Sequence, residues 1–130
     1  MLVLDENLPE SQRQLLRKAR VKFRVVGIGV GVAGTQDDNL IPLLHRLAQP
    51  TFFSLDRDFF RPDWAHPEYC LVWLDVRDDQ AAAFIRRFLH HPVFRTQAKR
   101  MGRVVRVRAH ALLVWQFRKR IPDSLTWPVT

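Results

Sequence analysis

Short apolar runs alternate with helical patterns along the first ninety positions of the chain. Four runs have the length and composition of buried strands, at residues 2–4, 23–26, 51–55 and 69–74. Three helices are predicted between and after these strands, beginning near residues 7, 39 and 78. Strands that alternate with helices in this way predict an α/β fold with a central, mostly parallel sheet flanked by helices.

Capping residues and proline set the predicted helix boundaries. Asn7, with Glu10 three residues later, has the pattern of a capping box. The first helix then has an apolar stripe of Leu8, Leu15, Leu16 and Ala19. Pro42 has no amide proton for a helical hydrogen bond, so we expect the second helix to begin near Asn39. The third helix should continue to about His91, where Pro92 stops it.

The remaining sequence predicts a short helix and a closing pair of strands. The helix covers residues 93–101, and the strands cover residues 104–107 and 111–117. We therefore expect a single domain over residues 1–117. Residues 118–130 contain Pro122 and Pro128, and we expect this C-terminal tail to be irregular.

Composition narrows the class of protein. Of the 130 residues, 47% are apolar, which is enough for a packed core and too many for a disordered chain. The single cysteine excludes an internal disulfide framework and is typical of a reducing compartment. No apolar stretch approaches the roughly 20 residues that span a bilayer. The sequence thus predicts a globular cytoplasmic protein without a membrane segment or a signal peptide.

The positive charge is concentrated in the C-terminal part. Residues 1–80 carry 10 basic and 12 acidic residues, whereas residues 81–130 carry 11 basic residues and one acidic residue. Most of these cations are arginines, whose planar guanidinium suits phosphate groups. We therefore expect a polyanion partner, although a solvated cationic face is the simpler alternative. The arginines expected to contact nucleic acid or another polyanion are Arg86, Arg87, Arg103, Arg106 and Arg108.

Acidic residues lie at strand ends and helix starts. Asp5 follows the first strand, Asp37 and Asp38 precede the second helix, and Asp56 and Asp58 follow the third strand. In parallel sheets, ligands bind beyond the carboxyl ends of the strands. Carboxylates that meet there repel one another unless a cation such as Mg²⁺ or Mn²⁺ neutralises them. Each acid alone is more typical of a cap or a turn, so only the combination indicates a metal site.

Three separated motifs resemble a family of small bacterial PIN-like proteins. Asp5-Glu6-Asn7-Leu8-Pro9 matches the opening of that family, and Gly34-Thr35-Gln36-Asp37-Asp38 stands before a leucine-rich helix as it does there. Leu55-Asp56-Arg57-Asp58-Phe59 resembles the strand-end motif of the family, with Ser54 where threonine is usual. The resemblance covers about residues 1–75. The sequence departs from the family at Pro42 and at Lys22-Phe23-Arg24-Val25.

The resemblance implies a PIN-like three-layer fold and a ribonuclease that depends on Mg²⁺ or Mn²⁺. Many relatives are toxins of toxin–antitoxin pairs, so it also implies a small DNA-binding antitoxin as a partner. Carried over by motif, the acidic quartet that binds the metal and catalyses hydrolysis would be Asp5, Asp37, Asp56 and Asp58. The supporting polar residues would be Asn7, Ser54 and Asp38.

Other interpretations of the same sequence remain open. A non-catalytic PIN-like module could hold RNA or a protein partner, and a basic C-terminal part could dock an acidic antitoxin or form a homodimer. The segment Gly29–Gly34 spells a dinucleotide fingerprint, but Pro42 delays the helix that such a site needs. The five histidines show no zinc-ligand spacing, and Cys70 has no partner cysteine.

Overall fold

The fold is built on one sheet of seven strands. The computed structural model describes residues 1–26 and 37–128, and the side chains of residues 37–39 lie outside that description. The strand order across the sheet is β2-β1-β3-β4-β5-β6-β7. The strands are β1 (Leu2–Leu4), β2 (Arg24–Val25), β3 (Thr51–Ser54), β4 (Cys70–Leu74), β5 (Arg103–Val107), β6 (Leu112–Gln116) and β7 (Asp123–Leu125). The first five pair in parallel, and β6 and β7 add two antiparallel pairings.

Helices cover both faces of the sheet and create three layers. They are α1 (Glu10–Lys18), α2 (Asp37–His45), α3 (Ala81–His90) and α4 (Gln97–Arg100), with 3₁₀ turns at Arg57–Phe59, Pro62–Trp64 and Asp78–Gln80. One core cluster joins Leu16 of α1 and Ile85 of α3 to Phe53 and neighbouring strand residues. A second cluster joins Leu44 of α2 to Phe52 on the opposite face. The predicted α/β fold with a mostly parallel sheet is therefore confirmed.

Strand order brings the ends of β1 and β3 together. β1 pairs with both β2 and β3, although the chain runs from β1 to β2 before it returns to β3. The segment after β1 leads to α1 on one face, whereas the 3₁₀ turns after β3 place Phe59 and Trp64 in the core cluster of the other face. Connections that leave in opposite directions make a topological switch point at the carboxyl ends of β1 and β3, hereafter called the crevice, and ligands of α/β proteins bind at such points.

The start of α1 differs from the prediction. The residue before the helix is Pro9, no side chain caps it, and Asn7 instead contacts β3. Leu15 is 49% exposed, while Gln12 is buried and its Oε1 accepts the backbone N–H of Ala82 at 3.0 Å. The expected cap at Asn7 and the expected burial of Leu15 are therefore wrong, because α1 turns a polar residue toward the first turn of α3.

Two expectations about other elements also need correction. α2 begins at Asp37 and contains Pro42 in its interior, whereas the proline rule placed its start near Asn39. Burial of Leu40 and Leu44 against the sheet offsets the lost hydrogen bond at the proline. The tail expected to be irregular contributes β7, whose pairing with β6 extends the sheet. The predicted glycine loop at residues 27–34 lies outside the described residues.

The described helices include none that is long and apolar enough to cross a bilayer.

Candidate active site at the switch point of the sheet

Asp5 and Ser54 form the centre of the crevice. Leu4 and Phe53 are register partners of β1 and β3, so Asp5 and Ser54 stand side by side one residue further on. The backbone N–H of Asp5 donates to the Phe53 carbonyl at 2.9 Å, and the hydroxyl of Ser54 donates to Asp5 Oδ2 at 2.6 Å. Ser54 is fully buried. The parallel register of two strands therefore fixes the position of the Asp5 carboxylate.

Asp56 reaches the same centre through its backbone. Its N–H donates to Ser54 Oγ at 3.0 Å, so Ser54 joins the segments that follow β1 and β3. The Asp56 side chain caps the 3₁₀ turn Arg57–Phe59, because its Oδ1 accepts the N–H of Asp58 at 2.9 Å. Asp58 itself is exposed. Asp56 therefore contacts the centre through its backbone amide, and Asp58 lies outside it and donates its own amide to the Asp56 carboxylate.

Asn7 is the second polar group around Ser54. Its Nδ2 donates to Ser54 Oγ at 3.4 Å, a long hydrogen bond between segments 47 positions apart. Backbone N–H donation from Asn7 also reaches the Asp5 carboxylate. Asn7 and Ser54, which the family resemblance implied as supporting residues, thus both contact the predicted site.

Burial makes the charge of Asp5 costly. The pKa of Asp5 is raised above its usual value, chiefly because the carboxyl is removed from water, and the charges of Glu6 and Asp56 raise it further. The hydrogen bonds from Ser54 and Asn7 act in the opposite direction and lower it. A cation beside Asp5 would relieve this cost, since opposite charge favours the ionised carboxyl.

The structure describes the side chains of three acids of the predicted quartet, Asp5, Asp56 and Asp58. Asp37 is the first residue of α2, but its side chain and that of Asp38 lie outside the described part of the chain. Among the described residues, Asp5, Asp56 and Asp58 do not form a group of three ligand atoms close enough together to share an ion. The structure therefore brings Asp5 and Asp56 to one centre through Ser54 and leaves Asp58 at its exposed margin.

Trp73 and Arg106 continue the row of side chains near the carboxyl ends of β3, β4 and β5. Trp73 was expected to lie in a fully buried strand, but it is half-buried and stands next to Ser54 in the register of β3 and β4. Arg106 is its partner on β5, and the Arg106 guanidinium lies 4.7 Å from the centre of the Trp73 ring. Arg106 also donates twice to Asp75 Oδ2, at 3.0 and 2.7 Å. Only the sheet register could reveal this row, because its members lie on separate strands.

The five arginines predicted to bind RNA occupy different environments. Arg86, Arg87 and Arg108 are exposed. Arg103 and Arg106 are half-buried, and each uses its guanidinium inside the protein: Arg103 lies over the Phe94 ring, and Arg106 is paired with Asp75. An external polyanion would therefore meet the three exposed arginines first.

A separate group of possible metal ligands lies at the opposite ends of the strands, the amino ends of β3 and β4. His45, Glu68 and the half-buried His66 offer ligand atoms that all lie within 4.8 Å of one another. Sequence spacing did not reveal this group, because His45 ends α2 and the other two residues precede β4. The motif His66-Pro67-Glu68 alone is too short to predict a site.

The fold and the crevice define a three-layer α/β protein with a carboxylate site at the switch point of its sheet. In comparisons with known proteins, no protein-family model, no curated protein and no solved structure matches the chain.

Proposed function

We propose that this chain is a PIN-like, metal-dependent endoribonuclease that hydrolyses RNA phosphodiester bonds at the crevice between β1 and β3. The observation that carries the proposal is the arrangement of Asp5, Ser54 and Asp56, in which one buried hydroxyl joins two acidic segments at the switch point. Acidic side chains there are typical of sites that bind a divalent ion beyond the strand ends.

The donor chemistry of the crevice suits Mg²⁺ or Mn²⁺. These hard ions prefer carboxylate oxygens, and Asp5 carries a charge that burial disfavours and a cation would stabilise. Asp5 and Asp56 would hold the ion, and Asp37 joins them in the proposal through its motif alone. When bound, the ion would activate a water molecule and stabilise the negative charge that develops on the phosphate.

Other residues of the chain would orient the Asp5 carboxylate and attract the RNA. Ser54 and Asn7 hold the Asp5 carboxylate in one orientation through hydrogen bonds. The exposed arginines Arg86, Arg87 and Arg108 would attract the RNA backbone, and each contact would make the affinity depend on salt. The marked excess of basic residues after position 80 supports this part of the proposal.

The biological role that we propose is that of a toxin neutralised by a small DNA-binding antitoxin. The motif resemblance supports this role, and the basic C-terminal part would offer an acidic antitoxin a complementary surface.

The test measures how much of a labelled RNA pool the purified chain cleaves in the presence of Mn²⁺ and how much it cleaves in the presence of EDTA. We expect Asp5→Asn and Asp56→Asn to lose the cleavage stimulated by Mn²⁺, because each removes a carboxylate from the crevice. Asparagine keeps the size of the side chain and can still cap the 3₁₀ turn after position 56. The matched control is Asp78→Asn, an exposed acid on another turn, which should cleave like the parent.

A second candidate, a non-catalytic RNA-binding module, is favoured by one observation. The described acids do not form a group of three metal ligands, and Asp56 already uses one oxygen as a cap. This candidate predicts RNA binding that weakens with salt, without cleavage in Mn²⁺ and without an effect of Asp5→Asn on affinity. Cleavage that persists in both asparagine variants would contradict the nuclease proposal.

A further inference from the structure

We propose that His45, His66 and Glu68 form a second cation site, which binds a transition-metal ion of the Zn²⁺ class. His45 is the last residue of α2, on the path to the first residue of β3, and His66 and Glu68 stand just before β4. The group therefore lies at the amino ends of β3 and β4. The carboxylates Asp5 and Asp56 follow the opposite ends of their strands, so the two sites are distinct.

The distances bring three ligand atoms near the spacing of a metal centre. His45 Nδ1 and Glu68 Oε2 form a hydrogen bond of 3.1 Å, whose proton a metal ion would replace, and one ligand atom from each of the three residues lies within 4.8 Å of the others. Zn²⁺ binds nitrogen and carboxylate oxygen at about 2.0–2.2 Å, which separates the ligands of a tetrahedral site by about 3.3–3.6 Å. A small contraction of His66 toward the other two side chains would complete three positions of a tetrahedron.

The hydrogen bonds show that His66 already presents a ring lone pair. The backbone N–H of Glu68 donates to His66 Nδ1 at 3.1 Å, and an amide nitrogen can only donate. Nδ1 is therefore the acceptor of this bond, and the same lone pair would bind a metal ion. A bound ion would replace the amide proton, and the amide of the exposed Glu68 segment could then donate to water.

Tyr69 holds both imidazole rings in place. Its own ring is buried, stacks on the His66 ring at 5.5 Å and meets the edge of the His45 ring at 5.4 Å. The two imidazoles lie edge to face, 4.5 Å apart. The Tyr69 hydroxyl donates to the Trp64 carbonyl, which fixes the tyrosine in turn. Restricted rings lower the entropy lost when an ion binds.

The ligand types select the class of ion. Imidazole nitrogen favours Zn²⁺, Co²⁺, Ni²⁺ and Cu²⁺, whereas Mg²⁺ favours oxygen ligands alone. Two imidazoles and one carboxylate leave at least one position open, and the exposure of His45 and Glu68 gives water access to it. Within the described residues, no other group of three histidine, cysteine or acidic side chains meets the same distance limit.

The experiment titrates the full chain with Zn²⁺ by calorimetry and with Co²⁺ by visible absorption. We expect His66→Ala and Glu68→Gln to weaken the binding of both ions by more than about tenfold, because each removes a ligand. His90→Ala changes an exposed histidine elsewhere and should bind like the parent. Asp5→Asn should also bind Zn²⁺ at the histidine site like the parent, which separates this site from the carboxylate crevice.

Two results would overturn the assignment. One is a parent chain that gives neither a heat signal with Zn²⁺ nor Co²⁺ absorption bands. The other is Zn²⁺ affinity in both ligand variants equal to that of the parent while circular dichroism shows them folded. Because His45 and Glu68 are exposed, Glu68→Gln is expected to fold normally.

Discussion

Substitution of Ser54 by alanine offers the most direct test of the crevice. The buried hydroxyl donates to the Asp5 carboxylate at 2.6 Å and accepts the Asp56 N–H at 3.0 Å. A hydrogen bond to a charged group contributes about 1.5–3 kcal/mol, and a neutral one contributes about 1 kcal/mol. Since Asp5 is only partly buried, we expect Ser54→Ala to lower the free energy of unfolding by about 2–3 kcal/mol.

The loss should depend on pH. The bond from Ser54 lowers the pKa of Asp5, so it stabilises the ionised carboxyl more than the protonated one. The cost of Ser54→Ala is therefore greatest above the native pKa of Asp5 and decreases as the pH falls through that value. Urea unfolding measured near pH 7.5 and near pH 3 checks both the size and the direction. The melting temperature near pH 7.5 should fall by roughly 6–12 °C.

The matched control is Thr96→Ala. The exposed Thr96 also accepts a backbone N–H through its hydroxyl, from Lys99 at 3.2 Å, but it caps α4 and makes no hydrogen bond to a carboxylate of the described residues. Its loss should cost about 1 kcal/mol at both pH values. A Ser54→Ala cost no larger than this, or one that is equal at the two pH values, would show that the hydroxyl does not support the Asp5 charge.

Two further predictions concern stability. Asp5→Asn should raise the free energy of unfolding at neutral pH, because burial raises the pKa of Asp5 and the folded state therefore disfavours its charge. This gain in stability should vanish at pH values below 3.8, where Asp5 is protonated in both the folded and the unfolded state. Thermal melts measured across this pH range check the prediction. Gln12→Leu should lower the free energy of unfolding by about 1–3 kcal/mol, because the Ala82 N–H loses its buried acceptor. The control Gln14→Leu, on the exposed side of α1, should change stability by less than about 0.5 kcal/mol in the same urea assay.

The local pattern of the sequence was sufficient for most of the secondary structure. The boundaries of β1 match the prediction, and those of β3 and β4 differ from it by one residue. Short continuous apolar runs are typical of parallel strands whose two faces are both covered by helices. The pattern failed at Gln12, because hydropathy cannot show that a polar side chain has a buried backbone partner 70 positions away.

The sequence likewise predicted only part of the candidate site. The positions of Asp5 and Asp56 after their strands followed from the sequence, since parallel strands end at one edge. The sequence could not show that Ser54 connects them, because that depends on the pairing of β1 with β3. It also gave no indication of the contact between Trp73 and Arg106, which depends on the register of β4 with β5.

The order of apolar and polar residues by itself determined the α/β class, the flanking helices and the acidic strand ends, because these features depend on neighbours a few positions apart. Tertiary structure alone decided which distant side chains share a neighbourhood. It placed His45 beside Glu68 and joined the tail to the sheet through β7. Contacts of this kind depend on strand order and register, which are set by the packing of the whole chain and not by any local run of residues.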